Sequence, residues 1–241
     1  MLASEKGFTV VELLISLAIV GIVLTGIYNL AISSSQIYLA QNGIVQLQAD
    51  ARAAMDFMAR ELRAAVGNPI ISTTITTNDT ISFDRVEDTG YSTGGNSAST
   101  LNDTNKDWQA GAFAPTSTSE FKVRIISGTG SGQPPRTITG NSATQLTISE
   151  AWEVTPDTSS RYIITRNKTF TRTSETDNVL RYRIGATGQP NPLAENITSH
   201  AFSQPNPGTI TITLTARTSS PDPITRQYRD YTLTETVKLR N

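Results

Sequence analysis

Lys6-Gly7-Phe8-Thr9-Val10-Val11-Glu12 and the apolar run that follows it to Ile32 decide the fold of this 241-residue chain. A short polar leader ends at Lys6-Gly7, and the stretch from Leu13 to Ile32 carries no charge. About 20 such residues suffice to cross a bilayer as an α-helix. Glu12 stands at the head of the run. A charged side chain costs about 2.5–3.5 kcal/mol at the membrane centre on insertion scales and less near an interface, so the carboxylate implies a partner, with snorkelling to the interface as the alternative. The leader lacks the form of a secretory signal, because the apolar segment follows the small-residue site and no Ala-x-Ala closes it. Hydropathy alone is equally compatible with an uncleaved anchor.

Beyond Ile32 the pattern turns one-sided. Ile44, Leu47, Ala51, Ala54 or Met55, Met58, Leu62 and Ala65 recur at three- and four-residue steps, which predicts one amphipathic helix continuous with the apolar run. Asp50, Arg52, Asp56, Arg60, Glu61 and Arg63 fall on its other face, with Asp56 and Arg60 in the favourable i,i+4 order. From Phe8 to Val66 such a helix spans roughly 88 Å, far more than a membrane needs, so its second half must pack on something outside the bilayer. Gly67-Asn68-Pro69 reads as its stop. Gly21, Gly26 and Gly43 are weak points within it, each costing up to about 1 kcal/mol relative to Ala.

After Pro69 the chain reads as strands. Alternation of period two marks 80–85, 121–125 and 145–148, with further candidates at 161–166, 179–184, 209–216 and 228–238. Residues 91–99, YSTGGNSAS, read as a linker. The segment from 99 to 166 has short strands between Gly-rich turns, and Phe121, Val123, Ile125, Leu146, Ile148, Trp152 and Ile164 are its candidate core. Trp108 and Trp152 are read as core residues, with sugar-stacking platforms as the rival reading.

Composition removes several functions. The formal net charge of −1 leaves no electrostatic footprint for general nucleic-acid binding, and five basic residues against three acidic ones between Arg217 and Asn241 are a surplus of two only. Cysteine is absent, so disulfides, thiolate metal sites and a Cys nucleophile are excluded. His200 is the only histidine, which removes two-histidine zinc motifs. Residues 128–132, GTGSG, lack the Gly-Lys of a phosphate loop and read as a hairpin turn. Residues 103–107, DTNKD, begin like a calcium loop but place Trp108 where Gly is required and Ala114 where the closing Glu belongs, so a polar turn is the reading.

Gly7-Phe8-Thr9-Val10-Val11-Glu12-Leu13 resembles the cleavage site of type IV prepilins and type II secretion pseudopilins, whose leader ends in Gly and whose mature chain opens with Phe. That resemblance implies a prepilin peptidase cutting between Gly7 and Phe8 and methylating the Phe8 amine. It also implies that Glu12 pairs with the Phe8 amine of a neighbouring subunit, and a carboxylate in an apolar bundle is stable only when paired. Residues 51–63, 193–197 and 237–241 resemble the PilW-type minor pilins and the minor pseudopilin J. Where major pilins often carry a Pro after the apolar segment, this chain has Asn29.

The expected fold class is therefore α+β: a long N-terminal helix, membrane anchor and filament core, packed on a β-rich pilin-like head with an inserted β-module. The expected boundaries are a leader at 1–7, the helix at 8–66 with its transmembrane part at 8–32, the head from 67–98 and 167–241, and the insertion at 99–166. The function implied is that of a minor pilin, a structural subunit needed for type IV pilus assembly and placed at the tip. The alternatives are a minor pseudopilin of type II secretion and an adhesin module on a pilin stem. No enzyme activity, cofactor or metal is expected. The partners implied are the major pilin, other minor pilins or pseudopilins, the peptidase and the bacterial inner membrane, with the head in the periplasm before assembly and in a pilus or pseudopilus at the cell surface after it.

Overall fold

The structure, a computed structural model, describes residues 9–75, 78–172, 177–185 and 187–239. It is α+β: one long N-terminal helix followed by a β-rich domain of mostly antiparallel strands. The helix α1 runs from Val10 to Arg63. The strands are β1 (Ala65–Ile75), β2 (Asn78–Tyr91), β3 (Thr100–Asn102), β4 (Phe121–Ser127), β5 (Arg136–Asn141), β6 (Gln145–Ile148), β7 (Arg161–Thr171), β8 (Leu180–Ile184), β9 (Asn191–Ala194), β10 (Ile197–Asn206), β11 (Thr209–Arg217) and β12 (Asp230–Lys238). The chain divides into two compact units, one of residues up to Gln46 with Thr218–Arg229, the other of Leu47–Arg217 with Asp230 onward.

Within the larger unit, β2 and β7 form the spine. They pair antiparallel from Ile81↔Phe170 to Tyr91↔Arg161. Along one half of β7 lies β8, from Lys168↔Ile184 to Thr171↔Arg181, and along the other half lies β4, from Phe121↔Arg166 to Ser127↔Arg161. Two cores result, one at each half. The first packs the inner face of α1 at Leu47, Ala51, Met55, Met58 and Leu62 against Ile81, Phe83, Phe170 and the inward residues of β10 to β12. The second is built from Leu101, Val123, Ile125, Ile138, Leu146, Ile148, Trp152, Tyr162 and Ile164, with Phe121 and Trp108 packed partly exposed against it. Fully burying a side chain such as Met58 or Leu62 contributes about 1.5–3 kcal/mol, so the three- and four-residue spacing of α1 is what holds it to the sheet.

The helix closes earlier than its sequence suggests. Arg63 is its last residue, and Ala65 and Val66 already pair with Arg85 and Asp84 of β2. Gly67-Asn68-Pro69, expected as a helix stop, instead lies inside β1, where the register jumps between Val66 and Ile70. Gly67 takes φ of +75° there. Such a conformation is open to Gly, and Pro withdraws a ladder donor, so the triplet makes a bulge.

A second correction concerns Glu61. Helical spacing placed it on the solvated face, yet it is 6% exposed. Its Oε2 accepts from Lys168 Nζ at 3.0 Å and Tyr182 Oη at 3.0 Å, and lies 3.1 Å from Arg85 Nε. Lys168, 5% exposed, reaches Glu87 as well at 3.2 Å, and Glu87 in turn pairs with Arg85 at 2.8 Å. Buried charges persist only when paired in this way. The network fastens the end of α1 to β2, β7 and β8. Burial and the Glu61 carboxylate push the Tyr182 hydroxyl well above the ordinary tyrosine range. Arg60, expected to pair with Asp56, lies over the Phe57 ring, 5.3 Å from its centroid.

The stretch read as a linker is also fixed in place. Ser92 is buried and its backbone N–H donates to Ser160 O. Asn96 donates to Ser92 Oγ and Pro156 O and accepts from the Asn102 N–H at 2.7 Å. Small polar side chains here close a loop against the strands instead of leaving it free.

Candidate functional site

The start of α1 concentrates the chemistry. Thr9 is the N-cap: its carbonyl accepts the Leu13 N–H at 3.2 Å and its Oγ1 accepts the Glu12 N–H at 3.2 Å. Glu12 Oε2 reaches back to the Thr9 N–H at 3.0 Å and to its hydroxyl at 3.1 Å. This is a reciprocal capping box, which satisfies two of the donors that every helix start leaves open. The carboxylate also faces the positive end of the helix dipole. Within one chain, Glu12 therefore has a local partner, although the sequence reading assigned it only one on a neighbouring subunit. The signal was present in the sequence as Thr9-x-x-Glu12 directly before an apolar run.

Downstream of the cap, α1 is apolar on every side. Leu13, Leu14, Ile15, Leu17, Ile19, Val20, Ile22, Val23, Leu24, Ile27 and Leu30 are all more than half exposed. The two aliphatic hydroxyls in this run fold back onto the helix, Ser16 Oγ donating to Glu12 O and Thr25 Oγ1 to Gly21 O, both at 2.8 Å. That removes their need for water. From Phe8 to Ala49 the only charged side chain is Glu12. Among the described residues, α1 is a helix long and apolar enough to cross a membrane. A helix apolar all round is stable only when something else covers it, lipid or other helices.

Gly7 and Phe8, the expected processing pair, lie outside the described residues. Residues 2–28 match the family description "prokaryotic N-terminal methylation motif". The chain carries a prepilin-type signal. The signal is that of type IV pilin-like proteins, which are structural subunits, and it implies processing by prepilin peptidase and assembly with other pilins. Together with the long apolar helix it fits a pilin-like protein anchored in the inner membrane. No curated protein and no solved structure gives a significant match.

The other residues singled out in the sequence are drawn into packing. Trp152 is buried and donates Nε1–H to Thr100 O, while Trp108 donates to Asp88 Oδ2 at 2.7 Å. Lys106 Nζ binds the other oxygen of Asp88 at 2.7 Å. Burial raises the Asp88 carboxyl, but the hydrogen bonds from Lys106, Trp108 and Thr89 together hold it below its ordinary range. In the DTNKD segment Asp103 is turned inward, where it accepts the Tyr162 hydroxyl at 2.7 Å. Burial and that carboxylate push the Tyr162 hydroxyl far up. Residues 128–132 form the turn between β4 and β5, with Gly128, Gly130 and Gly132 at positive φ. His200 is buried in β10 against Phe202. Among the described residues no three His, Cys, Asp or Glu side chains cluster as a metal site would require.

Proposed function

We propose that this chain is a minor pilin, a subunit needed to assemble a type IV pilus. The observation that carries the reading is the prepilin-type signal joined to an uncovered apolar helical run whose one charged side chain before Asp50 is Glu12. Cleavage between Gly7 and Phe8 and methylation of Phe8 create a new N-terminus immediately ahead of the Thr9 cap. Before assembly, Leu13 to Ile32 spans the inner membrane with the head in the periplasm, and the capping box keeps Glu12 satisfied at the membrane edge. On assembly the same face packs against the helices of the major pilin and other minor pilins, and Glu12 takes the Phe8 amine of a neighbour as its partner. A buried ion pair of this kind is weak as a source of stability and strong as a register device.

The boundaries of the head belong to this proposal: 67–98 and 167–241 as the pilin-like part, 99–166 as an insertion. The second core, centred on Leu101, Ile125 and Leu146, supports it. An added module of that size would crowd a densely repeated subunit, which favours the pilus tip. Gly7→Ala and Glu12→Val test the reading separately. Gly7→Ala leaves the full-length chain in the membrane on an anti-head immunoblot. Glu12→Val is processed normally but is depleted at least about tenfold from sheared pili, an energy difference of about 1.4 kcal/mol, modest for loss of a buried pair. Wild-type incorporation of Glu12→Val would remove the pairing role.

A further inference from the structure

Strands β4 and β7 turn different side chains to the two faces of their sheet. Val123, Ile125, Tyr162 and Ile164 enter the second core. By the alternation of a strand, Lys122, Arg124, Arg161 and Ile163 lie on the opposite face. The basic residues of β7 on the core side, Arg166 and Lys168, are paired with Glu87 and Glu61. Those on the opposite face are not. Among the described residues Lys122, Arg124 and Arg161 form no ion pair, and Arg161 lies over the ring of the exposed Tyr91, 5.9 Å from its centroid.

The three cations line a continuous groove. Its larger part is a cavity of about 670 Å³ bordered by Arg124, Arg161 and Thr89, with Val66, Val86 and Ile163 among its apolar walls. That volume suits an organic ligand of several rings. A second cavity of about 370 Å³ shares Val66, Gly67 and Arg124 with the first and adds Lys122, Ser82, Thr165 and Asn167. Lys122 and Arg124 stand two residues apart on β4, about 7 Å along the strand. Arg161, opposite Ser127, continues the row on β7. Among the described residues no carboxylate lines the larger cavity. Asp84 lines the smaller one, where the Asn167 amide donates to it at 3.3 Å, and Glu120 lies beside Lys122 in a third cavity.

An occupant that complements this surface carries negative charge at intervals, C–H surface for the aliphatic walls and hydroxyls for Thr89, Ser82 and Thr165. An acidic polysaccharide combines all three, since each ring has an apolar face, a rim of hydroxyls and, on uronate residues, a carboxylate. Single-stranded nucleic acid supplies the charge but stacks successive bases on several aromatic rings. Tyr91 is the one exposed ring beside this row, and Arg161 already lies over it.

We propose that the groove across β7 and β4 binds an acidic polysaccharide: Arg124 and Arg161 fork onto its carboxylates, and Lys122 takes the next charge along the polymer. The planar guanidinium matches a carboxylate with two parallel hydrogen bonds, whereas the lysine acts as a point charge. Every residue of the site belongs to the larger compact unit, so the inference stands apart from the prepilin reading. It would add capture of an anionic polymer to the work of the head.

Isothermal titration of the detergent-solubilised full-length chain with a galacturonate hexamer tests the site, against a neutral glucose hexamer and an oligothymidylate of equal length. The expected result is saturable uronate binding that weakens as salt rises, with none for the neutral sugar. Arg124→Gln and Arg161→Gln should each weaken it about tenfold, and Lys122→Gln about threefold. None of these side chains holds an ion pair, so thermal unfolding of the variants should match the unsubstituted chain. Lys238→Gln, at an exposed position on β12 outside the groove, should leave uronate affinity unchanged. No saturable uronate binding, equal binding of the glucose hexamer, or an equal loss in Lys238→Gln would overturn the proposal. Tighter binding of the oligothymidylate would overturn it as well and assign the groove to nucleic acid.

Discussion

One helix meets two environments. Up to about Val45, α1 exposes leucine, isoleucine and valine on all sides, whereas from Leu47 onward it buries one face and keeps its charges on the others, except Glu61. Backbone hydrogen bonding is the same in both halves, so the difference lies in what surrounds them. The second half finds its apolar partner within the chain. Among the described residues, Leu13 to Leu30 in the first half stay exposed, and an uncovered apolar helix in water is a liability unless lipid or other helices supply the missing surface. The proposed role in assembly would answer that imbalance, with lipid covering the first half before the subunit joins other helices.

The two halves should respond oppositely to truncation. Glu61→Ala is expected to have the largest effect, a loss of about 3–5 kcal/mol, because Lys168 is left buried with Glu87 alone. Urea unfolding of the detergent-solubilised chain would measure it. Met58→Ala, which empties a fully buried site, should cost about 2–5 kcal/mol in the same assay. Leu24→Ala, an equally apolar truncation in the exposed half, should leave head stability within about 0.5 kcal/mol. Equal losses at 58 and 24 would erase the distinction between the halves.

Smaller effects probe the ends of the exposed half. Thr9→Ala removes the N-cap and should weaken the first turn by about 1 kcal/mol, read as faster amide exchange at residues 10–14 with head stability unchanged. The loop at 218–229 should respond to acid. Hydrogen bonds from Thr225, Ile224 and Arg229 hold the Asp222 carboxyl down to about 2, below its ordinary 3.8. A depressed carboxylate contributes order above 3.8 that is lost as pH falls toward 2. Amide exchange at Ile224 and Thr225 should therefore show protection retained at pH 5 and lost near pH 2.

How far the fold could be read from sequence follows the range of the interactions. The strands expected at 80–85, 121–125, 145–148, 161–166 and 209–216 all occur; burial alternates along 121–125, 145–148 and 209–216, where alternation is a local signal that burial on one face enforces, whereas Tyr162 to Thr165 are buried in succession. The start of β1 is not legible locally, because Gly67-Asn68-Pro69 signals a helix stop equally well and only pairing with β2 turns it into a bulge. β10 carries an equally weak local signal: it contains Pro205, and its buried residues include His200 among serines and threonines. The burial of Glu61 is not legible from helical spacing, which says nothing about Arg85, Lys168 and Tyr182 arriving from three later strands. At the candidate site the reverse holds. The apolar run and Glu12 were legible at once because membrane insertion and capping depend on neighbouring residues, and the capping box was available from the same few letters.

The central claim concerns the mature N-terminus. Intact mass and N-terminal sequencing of the chain recovered from pili or inner membrane test it directly. The account predicts a chain beginning at Phe8 with a methylated amine. A chain beginning at Met1, or cut after Ile32, would contradict it.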